Sequence, residues 1–203
     1  MLIAKESKGK DFDPIPEGLH LAICYAIYDL GTQENIGFSS SSQKILIIWE
    51  LPDEQIEITK DNETKILPRS ISKKFTLSLG KKSNLRPFLE SWRGKKFTDE
   101  ELLGFDVTEV LGKPCQLNVV HDESTDGKHY AGISTVVPAP KGLQNSVLYN
   151  PLTIFNMGDK IPDQCPEWIQ KIIKKSPEFT LYEKLTQEEK EKNDDVDINQ
   201  LPF

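Results

Sequence analysis

Nine Lys and Arg side chains fall between Arg69 and Lys96, against a single acid, Glu90. The whole chain carries a formal net charge of -7, so this excess runs against its own background. Cations at that density neutralise the phosphates of a polyanion without reacting with it. Arg69, Lys73, Lys74, Lys81 and Lys82 are the candidate phosphate contacts, with Lys44 and Lys128 flanking them. Tyr28, Phe38, Trp49, Phe75 and Tyr130 are the candidate platforms for the flat faces of bases. Phe38 either stacks from its polar loop or tucks back onto the core, and Trp49 is either core or platform. Lys73 and Phe75 share the parity of apolar neighbours and can point inward, which leaves Lys74 the safer contact. The plainer reading of the stretch is a solvated surface whose lysines balance acids elsewhere.

Reactive constellations are weak by comparison. Gly80-Lys81-Lys82-Ser83 lacks the upstream glycine of a P-loop, because position 75 is Phe, and Lys82 displaces the Ser/Thr. There is no G-x-S-x-G and no H-E-x-x-H. Asp122, Ser124, Asp126 and Gly127 imitate the start of a calcium loop, but the twelfth position is Ile133, where a bidentate Glu is needed. His121 and His129 could face each other across a hairpin without further ligands, and His20 reads as a packed strand residue. Cys24, Cys115 and Cys165 are odd in number, lack any CxxC, and read as small buried or half-buried residues. No enzyme, metal or cofactor is expected.

The elements that must hold the cations follow from periodicity. Residues 69–79 alternate as a half-buried strand. Gly80 breaks it, and Leu85, Phe88, Leu89 and Trp92 form one helical stripe, with Asn84 as cap, Pro87 in the first turn and Gly94 as the stop. Thr98 to Glu101 is a capping box before a second short helix that Gly104 ends. Upstream, one strand runs from Leu19 to Leu30, where Gly31 stops it, and a second from Lys44 to Leu51. Pro52-Asp53 then makes a turn before a short Gln55–Thr59 strand. Downstream, Cys115–His121 and Lys128–Val137 form a hairpin. Three strands, a helical insert and two strands are the element order of an OB-fold, a five-stranded Greek-key barrel. The expected class is mainly β (α+β). That fold binds oligonucleotides on strands two and three and on the loops joining strands one–two and four–five.

The organisation expected is an irregular, solvated arm over residues 1–17 and an OB-fold over 18–142. A C-terminal extension over 143–182 follows, with a short helix from Pro166 whose stripe is Trp168, Ile169, Ile172 and Ile173. That helix either docks on the barrel or offers a partner surface. Residues 183–203, with three Lys and seven acids, are expected to be a disordered acidic tail. No stretch approaches the roughly 20 apolar residues of a membrane helix. The N-terminus shows no signal run, so no membrane association and a cytoplasmic location are expected.

The last ten residues read as a mobile anionic peptide with an apolar point. Asp194, Asp195 and Asp197 precede Leu201, Pro202 and Phe203, and Pro202 limits the entropy lost on docking. Here the chain resembles bacterial and phage single-stranded DNA-binding proteins, which end in an Asp-rich run and a terminal Pro-Phe. Ile198-Asn199-Gln200 separate the acids from the tip, where the bacterial form abuts them. The stretch LRPFLESWRGKKFTDEELLGFDVTEVLGKPCQLNVVH, with VVPAPKG after it, resembles the phage replication-type members. The resemblance implies sequence-independent single-stranded DNA binding in replication and recombination, in a bacterial host cytoplasm. It also implies a tip that recruits replication and repair proteins and competes with DNA for the basic groove. The alternative is a protein–protein adaptor on an OB-like barrel with little DNA affinity. The oligomeric state, a monomer or a small homo-oligomer, is left open.

Overall fold

The computed structural model describes residues 13–35, 37, 39–60, 63–123, 127, 129–142 and 147–194. Six strands form one sheet: β1 (Gly18–Glu34), β2 (Ser41–Lys60), β3 (Glu63–Thr76), β4 (Pro114–Glu123), β5 (His129–Pro138) and β6 (Thr153–Phe155). Their order is β3-β2-β1-β4-β5, with the short β6 added parallel to β1 and all other pairs antiparallel. Two helices, α1 (Leu85–Arg93) and α2 (Asp99–Leu103), and a 3-10 turn at Val107–Val110 join β3 to β4. Two more, α3 (Glu167–Ile173) and α4 (Pro177–Asp194), follow β6. Among the described residues no helix is long and apolar enough to cross a membrane.

The expected barrel does not close. No ladder joins β3 to β5 among the described residues, and the sheet is open. The two outer strands meet through side chains, where the Lys73 ammonium donates to the Ile133 carbonyl. Helix α1 lies beside the gap. Phe88 packs on Phe75 with ring centroids 4.8 Å apart, and Ser91 Oγ donates 2.5 Å to the Val136 carbonyl. Phe75, Phe88 and Ser91 line this gap, which keeps an open cavity of about 330 Å³.

Several local expectations correspond to what forms. Helix α1 buries Leu85, Phe88, Leu89 and Trp92, and Gly94 ends it at φ 66. Thr98 and Glu101 make the reciprocal capping box of α2. Asn84 occupies the N-cap of α1 without a side-chain bond, and Ser83 Oγ accepts from the Leu85 N–H instead, at 3.1 Å. Pro52-Asp53 makes no turn, because β2 continues to Lys60 through an irregularity between Leu51 and Gln55. The arm is not solvated throughout: Ile15 is buried, and His121 and Arg69 bond to the carbonyls of Ile15 and Asp13.

The sheet has two apolar faces. Ala22, Cys24, Ile27, Ile47, Trp49, Ile71, Phe75, Leu117 and Val136 turn toward α1 and form the larger core. Ala26, Tyr28, Leu30, Leu46 and Ile48 turn the other way and are covered by Phe155, Cys165, Ile169, Ile173 and Phe179 of the C-terminal segment. All three cysteines are buried free thiols, and burial pushes each upward from the ordinary thiol range. Residues 183–194, expected to be disordered, are helical, since α4 runs on to Asp194.

Gly31 shows why the extension can dock. It does not end β1, which runs on to Glu34. It sits instead at a register shift, with φ +65. An added Cβ would meet Ser176 Cβ at 2.6 Å and Glu178 Oε2 at 2.9 Å. Just beyond it, the Thr32 N–H donates 3.0 Å to Glu178. Gly31→Ala is therefore expected to cost about 1–2 kcal/mol in backbone strain alone. Denaturant unfolding should register that loss, together with earlier proteolytic release of α4; an unchanged midpoint would refute this account.

Candidate nucleic-acid interface

Strand alternation decides which basic residues reach solvent. Directly opposed residues of an antiparallel pair share a face. Leu46 pairs with Lys74, Ile48 with Ser72, Glu50 with Ser70, and Lys44 with Thr76. The outward face of β3 therefore reads Ser70, Ser72, Lys74, Thr76, beside the part of β2 that the C-terminal segment covers. Lys74 is exposed on it.

An open cleft of about 420 Å³ gathers Lys44, Lys74 and Lys82 around Thr76, Ser78, Ser83 and Asn84. No acid lines it. The Lys44 ammonium is oriented by Asn35 Oδ1 at 2.6 Å and Thr76 Oγ1 at 2.7 Å, which leaves one of its three donors free. The turn that carries Lys82 is fixed by its own bonds, with the Gly80 N–H on Ser78 Oγ at 3.1 Å and the Ser83 hydroxyl on the Ser78 carbonyl. Three ammonium groups, three hydroxyl side chains and Asn84, the N-cap residue of α1, thus face one opening. Such a set can hold an anion by charge and hydrogen bonding.

Other sequence-predicted residues go elsewhere. Trp49, Tyr28 and Phe75 are 0%, 3% and 3% exposed, so none can stack on a base. Trp49 packs against Phe88 and Trp92, and Tyr28 against Phe155. Lys73 is turned to the inner face and bridges the β3–β5 gap. Burial lowers its ammonium from the ordinary lysine range, and the Asp122 carboxylate opposes the shift. It is a structural contact and not a phosphate ligand. Arg69 is held by the Asp13 carbonyl and lines a different groove. Lys81 is exposed on the basic turn but does not line the cleft. Tyr130 is half-exposed on the β4–β5 hairpin, outside the cleft. Phe38, Lys128, Asp195, Asp197, Leu201, Pro202 and Phe203 lie outside the described residues, and Asp194 is the last residue of α4.

Two features escaped the sequence reading. Glu50 is 1% exposed, and its carboxyl oxygens accept from the Tyr149 and Asn150 N–H groups at 2.9 and 2.8 Å and from Asn150 Nδ2 at 2.6 Å. A lone acid in KILIIWEL was the available signal. The second feature is the half-exposure of Trp168, which leaves the stripe whose Ile169 and Ile173 are buried. His121 and His129 hold no metal-like cluster: among the described residues no group of three or more ligating side chains comes together. Compared with known protein families, curated proteins and solved structures, the chain has no match.

Proposed function

We propose that this protein binds single-stranded DNA without sequence preference, through the Lys44–Lys74–Lys82 cleft. The observation that carries the reading is the convergence of three lysines from β2, β3 and the following turn on one opening, lined by no acid among the described residues, in a chain of net charge -7. The strand order β3-β2-β1-β4-β5, with the helical insert after β3, supports an OB-like arrangement whose outer strands have not joined. The cleft then falls on strands two and three, the side where that fold takes oligonucleotides. Lysines give charge without a bidentate fork, which suits backbone contact and not base readout.

The resemblance in Asp194, Asp195, Asp197, Leu201, Pro202 and Phe203 extends the proposal to a role in replication and recombination. In that role the anionic segment recruits replication and repair proteins. Titration of single- and double-stranded oligonucleotides at two salt concentrations tests the core of it. Oligo-dT should bind more tightly than duplex, and the affinity should fall as salt rises. Binding that is indifferent to salt, or absent, would overturn the reading. Removing residues 194–203 should leave oligo-dT affinity unchanged or improved.

A further inference from the structure

Among the described residues the phosphate cleft has one ring, Phe75, and it is buried. Single strands held only by charge would lose the stacking that sequence-tolerant binders use. The outward face of β3 continues from Lys74 through Ser72 to Ser70, four residues or about 13 Å. There it enters an open groove of about 700 Å³ lined by Arg69, Ser70, Tyr149 and Trp168, with Ile58 and Leu67 on its wall. Among the described residues no acid lines this groove either. Tyr149 is 61% and Trp168 48% exposed. Both are held from behind: the Tyr149 backbone by buried Glu50, and α3 by Ile169 and Ile173 in the second core.

We infer that the C-terminal extension completes the DNA site, with Trp168 and Tyr149 stacking on bases of the strand whose phosphates lie in the Lys44–Lys74–Lys82 cleft. The inference rests on the proposed function and assigns the stacking role to residues outside the five-stranded part of the sheet. The occupant follows from continuity: one exposed strand face joins a cationic cleft to an aromatic groove. The two are about four nucleotide steps apart at the ~3.4 Å rise of a stacked strand. Arg69 adds a cation at the aromatic end.

The three tryptophans make the test direct. Trp49 and Trp92 are 0% and 5% exposed, so base contact can reach only Trp168. Oligo-dT should quench part of the tryptophan emission of the full chain, saturably, with the affinity seen by anisotropy. Trp168→Phe should abolish the quench while keeping most of the affinity. Trp168→Ala and Tyr149→Ala should each weaken binding by about 5- to 150-fold with an unchanged salt slope, because a stacking contact carries no phosphate charge. Unaltered emission from Trp49 and Trp92 reports that these variants are folded. Salt-dependent binding without quenching, at an affinity the alanine variants share, would overturn the inference and leave the proposed function standing. Absence of any wild-type binding would overturn both.

Discussion

Replacing Lys44, Lys74 and Lys82 together by alanine should lower the salt slope of oligo-dT binding by about 2, at about 0.7 per phosphate neutralised on a single strand. Between about 50 and 200 mM salt, three such contacts weaken binding about 20-fold, and the triple variant should lose that share of the response. The reason is in the geometry. The three lysines open on one cleft with no lining carboxylate among the described residues, so each can give its charge to the proposed ligand. Lys73→Met is the control. It sits between Ser72 and Lys74 in sequence but points to the opposite face, where its ammonium holds the Ile133 carbonyl. It should leave the slope unchanged. If Lys73→Met lowered the slope as much as Lys74→Ala, the assignment of faces would be wrong.

That contrast marks how far the sequence could be read. Arg69–Lys96 announced a cationic surface, and the stripe, stop and capping box of its helices were legible because they depend on near neighbours. Parity along β1 was not. Strict alternation along β1 would set Leu21, Ile23, Tyr25 and Ile27 on one face, and Ala22, Cys24, Ala26 and Tyr28 on the other. A register shift between Cys24 and Ala26 moves the pattern by one residue at Tyr25. Ala22 and Cys24 therefore share a core with Ile27, while Ala26 and Tyr28 face the opposite way. One inserted residue reverses every later side chain, and a bulge has no fixed residue signature here.

The apolar content of β2 was equally ambiguous. Ile45, Leu46, Ile47, Ile48 and Trp49 are all buried, since both faces of the sheet are covered. A strand buried on both sides reads as a continuous apolar run, and KILIIW is one. The missing piece was the cover. Residues 142–164 show no period, yet β6 lies among them and supplies part of it, and the helical stripe from Pro166 supplies the rest as α3. The start of the tail, residues 183–194, departs from expectation for a different reason. Its charge density suggests disorder, but Glu, Lys, Gln and Leu are also good helix formers, and α4 has Phe179 buried near its start as an anchor.

Glu50→Ala should destabilise the protein by on the order of 3–5 kcal/mol, because it strips three donors of their acceptors in one step. The carboxyl group is 1% exposed, on the sheet face that the C-terminal segment covers, and it serves the N–H groups of two successive residues, Tyr149 and Asn150, as well as the Asn150 amide. Each abandoned donor costs about 1–3 kcal/mol, less wherever water enters the vacated space. Glu50→Gln should rescue little, although it keeps the volume. Oε1 and Oε2 both accept, so either orientation of the new amide sets an NH2 group against an N–H donor. Urea unfolding measures the loss, and proteolysis near residues 147–150 locates it. A Glu50→Gln midpoint equal to wild type would refute the argument. The same contact ties stability to the DNA site: with Tyr149 released, the aromatic groove loses a wall. Below the denaturation threshold, Glu50→Ala should therefore weaken oligo-dT binding while leaving the salt slope set by Lys44, Lys74 and Lys82 intact.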